Sequence, residues 1–367
     1  MREIGSKFYL SSAEMESLSN YPAGKSSPNT AAGDMRYLSS GRQAIRFCLI
    51  DLQQDPTVNQ EHRVALLPEF TCNSVIHAFL LEDYRIHFYP SQKNLQTPCS
   101  EINRLSESYN AGVVLLHPYF GFDTLVMDES LRSDVKYIFD DTQSFCSKID
   151  YPRIDYVMAS IRKWGPFPDG AVCTKTKGKF FPQEILPQNK RMLELMQEAY
   201  RLKADYIESG LGSKDEFNLL YKEAYYLLEN EMQVHEMSDL SQKFYFSYDF
   251  DLMKKQRRNN YLDLLSFPCW QEIGEAIFPD LPEGRTPLYF PFYVQEGKRD
   301  ELQSYLIKEN IYAPVIWPVP DLHNQKQLSE QTGWIYEQIL VLPIDQRYTE
   351  EDMTRIKRTL EAYITTL

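Results

Sequence analysis

The sequence predicts an α/β protein in which a mainly parallel sheet is covered by helices on both faces. Two observations predict it: short apolar segments alternate with segments of helical periodicity, and several of the apolar segments are uninterrupted, as buried parallel strands are. The predicted strands are residues 63–67, 85–89, 113–116 and 136–139, and the helices between them are residues 74–81 and 101–108. Ligands bind such sheets beyond the carboxyl ends of the strands.

The pattern changes in the second half of the chain. Residues 188–236 have the apolar spacing of long helices, and residues 249–265 continue as a helix. The C-terminal part then mixes strands and helices, which predicts a small α+β domain packed on the large one. Its predicted strands are residues 287–294, 312–317 and 338–342, and its predicted helices are residues 299–309 and 350–365, the last capped by Thr349.

These patterns predict the domain organisation. We expect an N-terminal arm over residues 1–32, lying on the surface or on a partner subunit. A large domain follows over residues 33–248, with a helical insertion at about 188–236, and a linking helix and small domain occupy residues 249–367.

Charge and composition exclude several classes of protein. A net charge of −13 argues against a nucleic-acid or anionic-membrane surface, because either needs a basic footprint. The six cysteines lack the paired spacing of a zinc site or a disulfide framework, so we expect reduced thiols and no metal. No segment approaches the roughly 20 apolar residues of a membrane helix, and the N-terminus has no signal-peptide core. A cytoplasmic protein is predicted.

A possible anion site begins at the first clear helix, after residue 40. Ser39 or Ser40 is a natural N-cap, and Gly41 lets a ligand approach the free amides of the first turn. Arg42 supplies a counter-charge. The alternative is an ordinary capped helix.

A lysine at the end of a predicted strand is the second candidate. Residues 155–160 form a short apolar strand that runs into Ile161, Arg162 and Lys163, and a turn with two prolines leads to Gly170 and another strand at 171–173. Enclosure in protein lowers the pKa of a lysine and makes it a nucleophilic amine, which can form a Schiff base with an aldehyde. The alternative is a solvated lysine.

Carboxylate and amide side chains follow another strand, residues 136–139. Asp140 directly follows it, and Gln143 lies three residues further on. Asp140 is either a partner for a protonated ring nitrogen or, like Asp141, the N-cap of the next helix.

Together these motifs resemble the DegT/DnrJ/StrS family of sugar aminotransferases, which depend on pyridoxal 5′-phosphate (PLP) and have the aspartate aminotransferase fold, fold type I. The resemblance rests on Ser-Gly at a helix start, Pro-x-x-Thr at residues 68–71, His-x-x-x-Gly at 117–121, Asp-x-Thr-Gln-Ser at 140–144, and Ser-x-Arg-Lys at 160–163 ahead of Asp-Gly. It extends over nearly the whole chain and implies a three-layer large domain with a smaller C-terminal domain.

The resemblance also implies roles for individual residues. Lys163 would hold PLP through a Schiff base and move the proton, Asp140 would pair with the pyridine nitrogen, and Gln143 would approach the ring hydroxyl. Gly41 and Arg42 would offer backbone amides to the phosphate, and Ser160 would bind it too. Ser40 is also expected among the cofactor-binding residues. A homodimer is expected, in which the neighbouring subunit adds a residue to the phosphate site.

Three departures from the family pattern place the chain in a divergent branch. Arg42 stands where the family usually has threonine, and the turn after Lys163 contains two prolines instead of several glycines. Cys72 stands where an aromatic residue usually stacks on the cofactor ring, so Tyr119 or Phe70 is expected to cover the ring, unless it is covered less well.

The expected function is transfer of an amino group from an amino acid, glutamate by expectation, to a keto sugar linked to a nucleotide. Two alternatives stay open. One is a different PLP reaction on the same fold, such as dehydration, although Lys163 argues against the dehydratase branch, which has histidine there. The other is a binding or regulatory protein that keeps the PLP pocket without turnover.

Overall fold

The computed structural model describes residues 3–11, 13–14, 33–56, 63–149, 153–321 and 328–366 of the chain. Its largest feature is a seven-stranded sheet in the order β1-β9-β8-β7-β5-β2-β3. The strands are β1 (Asp34–Leu38), β2 (Val64–Pro68), β3 (Arg85–Tyr89), β5 (Val113–Leu116), β7 (Lys136–Asp140), β8 (Tyr156–Ser160) and β9 (Ala171–Lys175). The five strands from β8 to β3 are parallel, whereas β9 is antiparallel to β8 and to β1. The predicted mainly parallel α/β sheet is confirmed.

Helices cover both faces of this sheet. Helices α1 (Gly41–Gln54) and α2 (Asn73–Leu81) pack on one face, and α3 (Cys99–Ser108) packs on the other. In β5 the side chains alternate accordingly, because Val113 and Leu115 join the first core and Val114 and Leu116 the second. Burial on both faces explains the uninterrupted apolar runs in the sequence. A short parallel pair, β4 (Thr97–Pro98) and β6 (Leu125–Val126), lies apart from the main sheet.

Two long helices follow the main sheet, α4 (Lys190–Ser209) and α5 (Lys214–Asn230). Gly210 ends α4 in the left-handed conformation, with φ of +68°, and the next helix starts at a capping box between Ser213 and Glu216. Their buried side chains, among them Met196 and Tyr221, share one core. The predicted long helices are therefore present. Within the described part of the chain, no helix has the length and apolarity that crossing a membrane requires.

The C-terminal part has its own sheet and core. Its antiparallel sheet has the order β10-β11-β12, and Trp270 stacks on Phe290 inside it with ring centroids 4.9 Å apart. The elements of this part are β10 (Gly274–Ala276), β11 (Phe290–Val294), β12 (Ile339–Leu342), α6 (Asp239–Ser247), α7 (Phe250–Leu265), α8 (Trp270–Ile273), α9 (Arg299–Lys308), α10 (Glu330–Gln338) and α11 (Glu350–Ile364). The predicted smaller α+β part is confirmed, whereas the domain limits stay a prediction.

One predicted strand is wrong. Residues 312–317 form no ladder with a neighbouring strand, and a ladder is disfavoured there because Pro314 has no N–H to donate. Its carbonyl accepts a single hydrogen bond from Val341 N at 3.2 Å. The elements not predicted from the sequence include α6, α10 and the edge strand β1.

The described beginning of the chain packs on the same chain. Ile4 and Leu10 are fully buried, and Ile4 exchanges backbone hydrogen bonds with Asn310 and Tyr312. The turn-rich segment at residues 25–30 lies outside the described residues, so the predicted arm stays a prediction.

Lys203 of α4 gives a pH-dependent prediction. Its side chain is 1% exposed, its Nζ donates to Ser6 Oγ at 3.2 Å, and burial, with a smaller effect of Arg347, lowers its pKa from 10.5 to about 7. Between these two values the unfolded chain binds a proton that the folded chain does not, so raising the pH favours folding. The wild type should gain up to about 1.4 kcal/mol of stability per pH unit from pH 7 to 9 relative to Lys203→Met. Urea unfolding midpoints check this, and equal slopes for the two proteins would contradict it.

Candidate active site

The topology of the sheet brings the two central candidates together. Strands β7 and β8 are parallel neighbours, with Asp140 paired to Met158, so both end at the same edge of the sheet. A short 3₁₀ turn follows each strand, Asp141–Gln143 after β7 and Ile161–Lys163 after β8.

Thr142 ties these two turns to each other. Its Oγ1 accepts the backbone N–H of Ser160 at 3.0 Å, and its carbonyl accepts the indole N–H of Trp164 at 2.8 Å. Trp164 is fully buried, so these hydrogen bonds hold the lysine turn against the aspartate turn.

The start of α1 reaches the same edge through β9. Ser160 pairs with Ala171, which in turn pairs with Leu38, and Ser39 O accepts the N–H of Gly170 at 2.7 Å. The chain therefore enters α1 beside the end of β8.

One cavity of about 490 Å³ lies at this edge. All eight residues predicted from the sequence line it: Ser40, Gly41, Arg42, Cys72, Asp140, Gln143, Ser160 and Lys163. Their proposed roles toward a cofactor stay predictions, but their convergence is a property of the fold.

Asp140 is held as a carboxylate. It is 4% exposed, and burial alone would raise its pKa. His117, whose Nδ1 lies 3.5 Å from Oδ2, and the backbone N–H of Thr142, 3.0 Å from Oδ1, outweigh burial and lower the pKa. The neighbouring Asp141 differs, because burial and the charge of Asp140 raise its pKa well above the usual value. Two adjacent carboxyl groups thus have opposite pKa shifts.

Lys163 projects into the cavity, so solvent reaches its side chain although protein surrounds it. This enclosure lowers the pKa of its ammonium, and the adjacent Arg162 lowers it further, while Cys72, Glu229 and Asp140 act in the opposite sense. The neutral, nucleophilic amine is therefore more populated than in an ordinary surface lysine.

Gln143 is oriented by the backbone. Its Oε1 accepts the N–H of Phe120 at 2.8 Å, and the residue is 3% exposed. The side-chain amide is therefore left with its NH₂ group to donate into the cavity.

The first turn of α1 provides an anion-binding surface. Ser40 caps the helix, its Oγ accepting from Gln43 N at 3.4 Å, and Arg42 reaches Ser74 Oγ at 3.4 Å. Within the described residues, the N–H groups of Gly41 and Arg42 have no protein acceptor. Free amides at a helix N-terminus bind phosphate well.

Gly41 permits the close approach of α1 to β8. A Cβ atom at this position would lie 3.1 Å from Ser160 Cβ and 3.4 Å from Met158 Cε. Gly41→Val should therefore push the helix start away from Ser160 and weaken PLP binding by about tenfold or more, whereas Gly333→Val, where no atom lies within 4 Å of the added Cβ, should not. Equilibrium dialysis against PLP checks this, and unchanged binding by Gly41→Val would contradict it.

The aromatic residues beside the cavity differ from the expectation. Tyr119 and Phe70 are buried and do not line the cavity. Trp317 does line it, packing against Phe70 at 5.2 Å and against His117 at 5.4 Å. The two residues expected to cover the ring in place of an aromatic at Cys72 are thus not on the cavity surface. They are joined to each other instead, because Tyr119 OH donates to Phe70 O at 2.7 Å.

Several lining residues were not predicted as site residues. His117 follows the apolar run of β5, so its place at a strand end was an available signal. Arg162 is the arginine of the Ser-x-Arg-Lys motif at residues 160–163. No local pattern marked the residues that α5 and the C-terminal part contribute, which include Tyr225, Leu228, Glu229 and Tyr289.

The donor set fits PLP. A carboxylate and an amine from adjacent strands face one cavity, and a helix N-terminus with free amides lies beside them. Gly41 keeps that helix start clear of side-chain atoms. A buried acid whose pKa is lowered suits a protonated ring nitrogen, and the amides suit a phosphate.

Comparisons with known proteins identify the fold. No protein-family profile matches the chain, and no curated protein matches it. Among solved structures, the Helicobacter pylori aminotransferase PseC, involved in pseudoaminic acid biosynthesis, aligns with a TM-score of 0.69 at 10% identity, covering 100% of both chains. Spr1654 from Streptococcus pneumoniae, named as a sugar aminotransferase and solved in its PLP form, gives 0.67 at 11% identity, covering 100% of this chain and 99% of its own.

A third structure carries the family name. A DegT/DnrJ/EryC1/StrS aminotransferase from Brucella abortus aligns with a TM-score of 0.60 at 13% identity, covering 97% of this chain and 91% of its own. These structures agree with the resemblance seen in the sequence. The chain has the fold of the DegT/DnrJ/EryC1/StrS sugar aminotransferases over essentially its whole length.

Proposed function

We propose that the protein is a PLP-dependent aminotransferase that moves an amino group from an amino acid, glutamate by preference, to a keto sugar linked to a nucleotide. The observation that carries the proposal is the convergence of Asp140, Lys163 and the start of α1 on one cavity. The fold shared with sugar aminotransferases supports the sugar acceptor. The acidic charge and the unpaired cysteines support a cytoplasmic protein.

PLP, when bound, would supply an electron sink for the carbanion left after an amino acid loses its α-proton. Asp140, kept anionic by His117 and Thr142, would hold the proton on the ring nitrogen. Gln143 would donate its NH₂ group to the ring hydroxyl. Gly41, Arg42 and Ser160 would bind the phosphate with backbone N–H groups, a guanidinium and a hydroxyl.

Lys163 would act as the acid and base of the proton transfer. Its amine is enclosed in the cavity that Asp140 also lines, and its lowered pKa makes the neutral, proton-accepting form more populated than in an ordinary surface lysine. The hydrogen bonds between Thr142 and both Ser160 and Trp164 hold the turn from which it projects. The α-proton would therefore move through a residue placed by the fold rather than through solvent.

A homodimer is part of the proposal. The exposed apolar side chains of the described residues include a group in and just beyond α4 and α5, consisting of Ile207, Leu211, Leu219, Tyr226 and Met232. Apolar groups of this kind commonly lie in subunit interfaces.

A second candidate function has one observation in its favour. Cys72 lines the cavity where a stacking ring is expected, and a thiol cannot stack on a pyridine. A protein that binds PLP without turnover would tolerate such a gap. This second function predicts a yellow protein that is inert to amino donors.

The proposed function is tested by following the near-visible absorbance of the PLP-loaded protein. Adding glutamate should remove the band as the cofactor takes up the amino group, and 2-oxoglutarate should restore it. Keto sugar nucleotides should also restore it if the acceptor is of this class. A loaded protein whose spectrum does not respond to any amino acid would contradict the aminotransferase proposal and favour the silent binding protein.

A further inference from the structure

Arg162 is a cation in the cavity without a protein counter-ion. It lies in the turn between β8 and Lys163, is half-buried and lines the cavity. Among the described residues, its guanidinium makes no ion pair or hydrogen bond to another side chain. Its packing partner is Tyr225 of α5, over whose ring the guanidinium carbon lies at 5.0 Å from the centroid.

The buried carboxyl group of Asp169, which interacts electrostatically with Arg162, already has other hydrogen-bond partners. It is fully buried, its Oδ1 accepts from the hydroxyls of Ser238 and Ser241, and its Oδ2 accepts Ser238 N at 2.9 Å. Burial raises its pKa, with the two serines and Arg162 acting against that rise. Asp169 therefore holds the start of α6 and does not neutralise Arg162.

The N–H groups of the Arg162 guanidinium are available to a ligand in the cavity, because no side chain among the described residues bonds to them and the contact with Tyr225 is to the ring face. The planar fork of a guanidinium matches the two oxygens of a carboxylate. A positive charge on the cavity surface with no protein anion bonded to it favours an anionic ligand there.

We propose that Arg162 binds the α-carboxylate of the amino donor. This rests on the proposed aminotransferase function and adds to it the residue that recognises amino acids as donors. The amine and the carboxylate of an α-amino acid are attached to the same carbon, and Lys163 and Arg162 are adjacent in the chain and line the same cavity. A donor whose nitrogen takes the place of the Lys163 amine would carry its carboxylate into the cavity that the Arg162 fork lines.

Arg42 is a separate cation with a different position. It lies in the first turn of α1, beside Ser74 and the free amides, whereas Arg162 follows β8. The phosphate of PLP and the carboxylate of the donor would therefore bind to different arginines.

Binding of two amines to PLP-loaded protein tests the proposal. The first is α-methylglutamate, which has no α-proton to lose, so its spectral titration reports binding rather than turnover. The second is n-butylamine, which has the amine but no carboxylate. Arg162→Gln should weaken binding of α-methylglutamate by about 10- to 100-fold and change that of n-butylamine by less than about threefold. Arg162→Lys should recover part of the loss.

The matched control is Arg191→Gln, which removes the same charge from an exposed site on α4. It should bind both amines like the wild type. Unchanged α-methylglutamate binding in Arg162→Gln, or an equal loss for both amines, would overturn the proposal while leaving the aminotransferase function intact. A wild-type protein that binds neither amine would contradict the proposed function and this inference with it.

Discussion

Lys163→Ala is expected to abolish the exchange of the amino group, lowering the rate of the glutamate half-reaction by about 10⁴-fold. The enclosed amine is the group that would take the α-proton, and the described lining residues provide no second lysine. Single-turnover absorbance after mixing with glutamate measures the effect. Protein loaded with PLP is needed, because Lys163→Ala also removes the covalent link.

Two further variants isolate the role of the amine. Lys163→Arg keeps the positive charge, but a guanidinium does not release its proton, so it should be as inactive as alanine. Lys190→Ala removes an exposed lysine at the start of α4 and should be fully active. Substantial exchange by either Lys163 variant would show that another group moves the proton.

Asp140→Asn is expected to lower the same half-reaction rate by about 100- to 1,000-fold. The amide has the size of the carboxyl group but no charge to keep the ring nitrogen protonated. It also loses the interaction with His117 Nδ1, which is 3.5 Å from Oδ2 in the folded protein. Rapid-mixing absorbance under the same conditions measures the loss.

Asp141→Asn is the matched control for this prediction. Asp141 is the next residue in the chain and is also buried, but its pKa is raised where that of Asp140 is lowered, so the amide removes less charge there. It should retain most of the activity. If both variants lose activity equally, the effect of Asp140→Asn reflects disturbance of the turn rather than the loss of a specific charge.

The sequence predicted best the strands that are buried on both faces of the sheet. Strands β5 and β7 are covered on both faces, so the apolar runs at 113–116 and 136–139 predicted them to within one residue of their limits at 113–116 and 136–140. The candidate site followed from these limits. In a parallel sheet ligands bind beyond the carboxyl ends of the strands, which made Asp140 and Lys163 candidates, and the resemblance to the family implied that they meet at one cofactor ring.

The rest depended on contacts between distant segments. Tyr225 and Glu229 reach the cavity because α5 packs beside it, and no local pattern encodes that position. The apolar segment at residues 312–317 resembles a strand by composition, but Pro314 prevents the ladder that composition alone suggests. Phe70 or Tyr119 was expected to cover the ring because the thiol of Cys72 cannot stack on it, yet both side chains pack into the core and do not line the cavity.

The central claim is that Lys163 carries the cofactor. Borohydride reduction of the PLP-loaded protein, followed by proteolysis and mass spectrometry, identifies the lysine that becomes attached to pyridoxyl phosphate. The account predicts a single labelled peptide that contains Lys163 and no label in Lys163→Ala. A label on another lysine with Lys163 unmodified, or retention of a site-specific label in Lys163→Ala, would contradict it.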